Sequence, residues 1–167
     1  MYYADASRVC LEPCVPYGWQ FPDEDVFMPS AKGRGLTCFG LLSRNNKLMF
    51  STTTQNINST FVFEYLDRLS FMLEKPTVIV LDNASVHTAK IIQKQRKVWE
   101  ERGLILFYLP PYSPQLNLIE ILWKMLKYYW LKPEDYVEEQ LLFYKITLAL
   151  AAVGSSLNIN FSDLALV

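Results

Sequence analysis

Apolar residues recur along this chain in two rhythms, and the changes between them mark out its elements. Residues 2–9 are aromatic and β-branched enough for a strand, with Asp5 at the middle, where a charge is out of pattern. Residues 13–29 are proline-rich and read as a loop around Trp19. Residues 33–42 and 47–54 flank the turn signal Arg44-Asn45-Asn46, which predicts an antiparallel hairpin. Asn58 is placed to cap a helix whose Val62, Leu66, Leu69 and Leu73 fall at helical spacing, ending before Pro76. The run TVIVL, residues 77–81, has the continuous β-branched character of a strand covered on both faces, and Asp82 ends it. A second helix is expected over residues 88–102, with Ile91, Gln95, Val98 and Trp99 on one side and Gly103 as its stop. Residues 104–109 read as the next buried strand. After the rigid loop Pro110-Pro111-Tyr112-Ser113-Pro114 comes a third helix with an apolar stripe of Leu118, Ile121, Leu122, Met125 and Tyr129, then a last helix over residues 134–153.

Three strands, helix, strand, helix, strand and two helices predict an α/β sheet with helices on both faces. The 167 residues, 51% of them apolar, fit one globular domain, residues 1–167, with a substantial core. The longest apolar tract, around residues 146–153, contains Thr147 and is far short of the ~20 residues of a membrane span, so no membrane partner is expected. The opening MYYADAS has no basic region followed by an apolar run, and the expected location is the cytoplasm. Cys10, Cys14 and Cys38 form neither a disulfide framework nor a zinc set and read as reduced, packed thiols. The net charge of −1 gives no overall pull toward nucleic acid, yet Lys90, Lys94, Arg96 and Lys97, and again Lys124, Lys127 and Lys132, make local basic clusters. Gly33-Arg34-Gly35 is too short for a phosphate-binding loop and reads as a strand entry.

Three acidic residues stand out. Asp82 ends an apolar strand, and sites in open α/β sheets gather at the crevice beyond strand ends. Asp5 is a carboxylate in a central segment, where burial without a partner costs several kcal/mol, roughly, and a bound cation removes that cost. Glu120 starts the third helix, where the preceding loop can fold it back over the same edge. Plainer readings exist for each: Asp82-Asn83 as turn residues, Glu120 with Lys124 as a surface i,i+4 pair, Asp5 pointing outward on an edge strand. Carboxylates gathered without a thiol or a second histidine suit hard ions such as Mg²⁺ or Mn²⁺ and disfavour zinc.

Residues 80–87, VLDNASVH, with residues 109–123, LPPYSPQLNLIEILW, resemble the DDE transposases of bacterial insertion sequences in the mariner-like superfamily, specifically the insertion-sequence family numbered six hundred and thirty. Ala4-Asp5-Ala6-Ser7 resembles that family's first catalytic strand, and Gly18-Trp19 the loop after it. Two positions depart from the family pattern without removing an acid: Leu118, where proline is usual, and Ala6, where many members have a second acidic residue. The resemblance implies a ribonuclease-H-like mixed five-stranded sheet. It also implies that Asp5, Asp82 and Glu120 are the catalytic, metal-holding carboxylates, taking two Mg²⁺ or Mn²⁺ ions in the active state.

The implied activity is metal-dependent cleavage of DNA at transposon ends, followed by strand transfer into target DNA by the freed 3′-hydroxyl. The implied partners are DNA and a second copy of the chain in a homodimeric active complex, with nucleoid association during the reaction. Asn83 and His87 flank the second aspartate as supporting groups, His87 reading also as a hydrogen-bonded structural residue; Lys124, Lys127 and Trp123 are candidates for DNA contact, with a solvated helix face and one core tryptophan as the plainer reading. Because residue 1 lies almost at the first catalytic strand, the N-terminal helix-turn-helix that recognises transposon ends is expected to be absent, and sequence-selective binding with it. Two other readings stay open: a ribonuclease-H-like nuclease of another kind, and a non-catalytic remnant serving as a DNA-binding or assembly module.

Overall fold

The computed structural model describes residues 1–12 and 31–161; the loop expected over residues 13–29, with Cys14, Gly18 and Trp19, lies outside the described residues. Five strands form one mixed sheet in the order β3-β2-β1-β4-β5. The strands β1 (Tyr2–Leu11), β2 (Ala31–Leu42) and β3 (Leu48–Thr53) run antiparallel as a meander, turning between β2 and β3 at Asn46, whose φ of 56° suits asparagine. β4 (Thr77–Leu81) and β5 (Leu104–Tyr108) then add in parallel to the far side of β1. The crossovers that make this possible are α1 (Ser59–Phe71), capped by the Asn58 side chain on the Phe61 N–H at 2.9 Å, and α2 (Lys90–Glu101).

Alternation along the strands sends side chains to two separate cores. Ala4, Phe39, Leu41, Ile79 and Leu81 pack beneath α1 and α2 through Val62, Leu66, Ile92 and Trp99. Tyr3, Val9, Cys38, Leu42 and Val80 face the other way, toward α3 (Ile119–Met125) and α4 (Glu139–Ala151). Because Tyr3 and Asp5 share a face of β1, Asp5 points to the α3 side. The expected sheet with helices on both faces is the observed architecture. No helix among the described residues is long and apolar enough to cross a membrane.

Four local expectations change. The second helix buries Ile92 with Trp99, while Ile91 is exposed. β5 lies at the sheet edge and alternates, leaving Ile105 and Phe107 in solvent. The third helix buries Ile119, Leu122, Trp123 and Leu126, and Tyr129 is exposed, because the helix passes into a π turn over Leu126–Trp130. The Leu131 N–H to Leu126 carbonyl bond, 3.0 Å, closes that turn and rotates the tyrosines outward. The last helix starts at Glu139, since Pro133 opens a separate 3₁₀ turn over Pro133–Tyr136.

Candidate active site

The parallel pairing of β1 with β4 ends early, at Tyr3 opposite Val80. Beyond that pair the strands part, and Asp5 and Asp82 each lie two residues farther on, facing one another across the fork and directed to the α3 side. The fork thus places two acids where the strands part.

Asp82 is held by its own turn. Its Oδ1 accepts the Ala84 N–H at 3.0 Å and lies 2.6 Å from His87 Nδ1. The His87 bond, with help from Ala84, holds the Asp82 carboxyl below the ordinary carboxylate range despite partial burial. An ionised Asp82 accepts a hydrogen bond from the Nδ1–H of His87, which leaves His87 Nε2 buried and without a hydrogen-bond partner among the described residues. The ring is 1% exposed, so it orients Asp82 from beneath rather than reaching the crevice. Asn83, which is exposed, donates from Nδ2 to the Leu109 carbonyl and ties the end of β4 to the end of β5.

From Leu109 the chain enters the proline-framed loop. Tyr112 there has φ of 54°, a left-handed conformation strained for a bulky side chain, and its ring is fully exposed. As the ring has no packing to lose, Tyr112→Asn is expected to stabilise the fold by about 1 kcal/mol, measured by chemical denaturation. Unchanged or lower stability would show that the loop geometry is not strained.

After a short 3₁₀ turn, Pro114–Leu116, Asn117 is buried, and its carbonyl accepts the Glu120 N–H at 3.0 Å. Glu120, in the first turn of α3, faces a cavity of about 410 Å³ that Asp82, Asn83, Asn117 and the proline loop also line. Trp123, one turn later, is not at the DNA-contact surface expected of it. It is 2% exposed, and its Nε1 donates to Asp5 Oδ2 at 3.2 Å. An enclosed indole offers no face to a base.

The close approach of α3 to the sheet depends on Gly40, which pairs with Asp5 on β2. A Cβ at Gly40 would lie 3.1 Å from both Ile119 Cδ1 and Trp123 Cη2. Gly40→Ala is therefore expected to cost about 1–3 kcal/mol of stability, read from denaturant midpoints, and to lift the indole from Asp5. A neutral result would mean that α3 seats itself without this gap.

The three acids sense one another. Burial, with the Glu120 and Asp82 charges adding to it, pushes Asp5 up to about 6 from an ordinary 3.8, against the pull of the Ala6 N–H and His87. Burial also raises Glu120, with Asp82 adding; Lys127 and a hydrogen bond with Asp5 counter it. Asp5 and Glu120 thus lie close enough to act on one another electrostatically, and Asp82 bears on both. Among the described residues no group of three His, Cys, Asp or Glu is spaced to hold an ion outright, so the acids converge without closing a cage. Their chemistry nonetheless fits hard divalent ions: all three donors are carboxylate oxygens, and two have raised proton affinities that a cation would offset.

Of the lysines, Lys127 lies within electrostatic reach of Glu120 and Cys38, and Lys124 is exposed on α3. Lys90, Lys94 and Lys97 are exposed on α2, whereas Arg96 is engaged by Glu100 at 3.2 Å and the Leu106 carbonyl at 3.0 Å. Asn117 and Gly40 are the site residues that sequence reading missed. Asn117 carried a signal, a polar residue inside an apolar run three positions before Glu120, but Gly40 carried none.

Residues 1–141 match the family model described as DDE superfamily endonuclease. Sequence comparison with curated proteins returns no match. Among solved structures, the chain is similar to the Mos1 mariner paired end complex with Mn, at 13% identity and a TM-score of 0.57 over 93% of this chain and 52% of that one. It is similar also to the Mos1 strand transfer complex, at 13% identity and 0.54 over 90% of this chain and 51% of that one. The simian T-cell lymphotropic virus intasome in complex with PP2A regulatory subunit B56 gamma gives 15% identity and 0.60 over 82% and 49%. These likenesses show the fold, the ribonuclease-H-like one, and this chain spans about half the length of the solved chains it matches.

Proposed function

This chain belongs to the DDE superfamily endonucleases, and we propose that it is the catalytic core of a transposase of the insertion-sequence family numbered six hundred and thirty. In this reading it cuts DNA at transposon ends and joins the freed 3′-hydroxyl to target DNA. The observation that carries the reading is the fork of β1 and β4, with Asp5 and Asp82 at its mouth and Glu120 brought over it by α3.

Asp5, Asp82 and Glu120 would hold two Mg²⁺ or Mn²⁺ ions. When bound, such a pair supplies activation of the attacking water or hydroxyl and stabilises the leaving oxygen of an in-line displacement at phosphorus. The residues of this chain prepare the site. His87 and the Ala84 N–H favour the ionised form of Asp82 and fix its orientation, and Trp123 holds one oxygen of Asp5. Asn83 joins the end of β4, where Asp82 lies, to the end of β5, from which the chain leads to Glu120, and Lys124 and Lys127 supply positive charge to the DNA backbone beside Glu120. The partners are DNA and a second copy of the chain, acting in the cytoplasm.

The test uses supercoiled plasmid and the purified chain with Mn²⁺. Nicking that EDTA abolishes, together with joining of an oligonucleotide 3′-hydroxyl to the plasmid, is the expected result. Nicking without joining would assign a nuclease, and DNA binding without cleavage in any divalent metal would assign a non-catalytic module.

A further inference from the structure

Helix α3 and the residue that leads into it make two polar contacts with β1, and they straddle Glu120. Three residues before it, Asn117, 3% exposed, donates from Nδ2 to the Ala4 carbonyl at 3.3 Å. Three residues after it, Trp123 donates to Asp5 Oδ2, its ring lying over Gly40. Attaching α3 to the sheet does not require either bond, since Ile119, Leu122 and Leu126 are already fully buried there. Asn117 even leaves its Oδ1 buried without a hydrogen-bond partner among the described residues, a cost that an apolar residue would avoid. What apolar packing does not fix is direction: it resists separation but only weakly resists a slide or rotation of α3 along β1. Two directional bonds, one just before α3 and one within it, resist both.

We infer that Asn117 and Trp123 are positioning residues, a two-point clamp that fixes where Glu120 lies relative to Asp5 and so governs how readily the two take a divalent cation. The inference rests on the proposed metal-holding role of these acids. It predicts that loosening either point weakens ion binding before it weakens the fold. The molecule contains its own control: on the opposite face, Trp99, also fully buried, donates from Nε1 to Asp67 Oδ1 at 2.9 Å. The two indoles make the same kind of bond, but only one of the carboxylates belongs to the crevice.

The experiment measures Mn²⁺ binding to the full chain by electron paramagnetic resonance of the free ion, alongside far-ultraviolet circular dichroism and thermal unfolding. Trp123→Phe and Asn117→Leu are expected to weaken Mn²⁺ binding by on the order of 10- to 100-fold with native secondary structure. Trp99→Phe is expected to lower the melting temperature comparably and leave Mn²⁺ affinity within about twofold of the parent. The parent's tryptophan emission should be quenched by Mn²⁺, and that quenching should largely disappear in Trp123→Phe. Parent-like Mn²⁺ affinity in both clamp variants, or equal weakening in Trp99→Phe, would overturn the clamp while leaving the proposed function standing. A parent chain that takes up no Mn²⁺, with or without DNA, would overturn both.

Discussion

Replacing Asp82 by asparagine is expected to slow Mn²⁺-dependent nicking of DNA at least about a thousandfold, equivalent to roughly 4 kcal/mol of barrier, while leaving the fold intact. The substitution is well matched to the site. An asparagine Oδ1 can still accept from the Ala84 N–H and from His87 Nδ1, the two bonds that fix Asp82. What is lost is the charge. Because those bonds hold Asp82 below the usual carboxylate range, the folded chain favours the ionised form, and Asp82→Asn should lower the stability of the metal-free fold slightly at neutral pH, a loss that solvent screening keeps small. That contribution is present above the ordinary aspartate value and fades as pH falls through the depressed one. A variant that nicks DNA at the parent's rate would remove Asp82 from the chemistry.

Asp5→Asn is expected to abolish cleavage to a similar extent and to change stability in the opposite direction. The unfolded chain gives up the Asp5 proton near 3.8, whereas the folded chain keeps it to about 6. Folding without metal therefore takes up a proton between these values, and stability falls as pH rises through that window. At about 1.4 kcal/mol for each pH unit, the loss above pH 6 amounts to at most ~3 kcal/mol. Asparagine carries no such penalty and can still accept the Trp123 N–H. In EDTA at pH 7.5 the variant should melt several degrees above the parent; at pH 4 the difference should vanish. Mn²⁺ should raise the parent's melting temperature at pH 7.5 and hardly change that of Asp5→Asn. A parent whose metal-free stability does not decline between pH 4 and pH 6 would show that the Asp5 carboxylate is already compensated by the protein.

These opposite signs within one crevice were only half legible in the sequence. The strand TVIVL and the acid that ends it could be read directly, because a continuous β-branched run has few other uses and its end defines a crevice. Asp5 was visible as a charge out of pattern. The orientation of α3 was not, because residues 118–126, LIEILWKML, are apolar at nearly every position and several phases of the helix serve equally well. The choice among those phases is made elsewhere, by Gly40 on β2 and by the carboxylate of Asp5, which is 118 residues from Trp123. For the same reason the sequence left Trp123 open between a DNA contact and a core residue, and it is the core residue. Ile91 and Ile92 posed a smaller version of the problem, adjacent residues between which local spacing cannot choose. The exposure of Ile105 and Phe107 follows from β5 being an edge strand, a property of strand order that no local pattern carries.

The most direct measurement is a crystal structure of the chain soaked in Mn²⁺, with the ions located by their anomalous scattering. Manganese is expected in the fork between β1 and β4, coordinated by oxygens of Asp5, Asp82 and Glu120. Manganese elsewhere, or in the fork with Glu120 turned away into solvent when DNA is also bound, would contradict it.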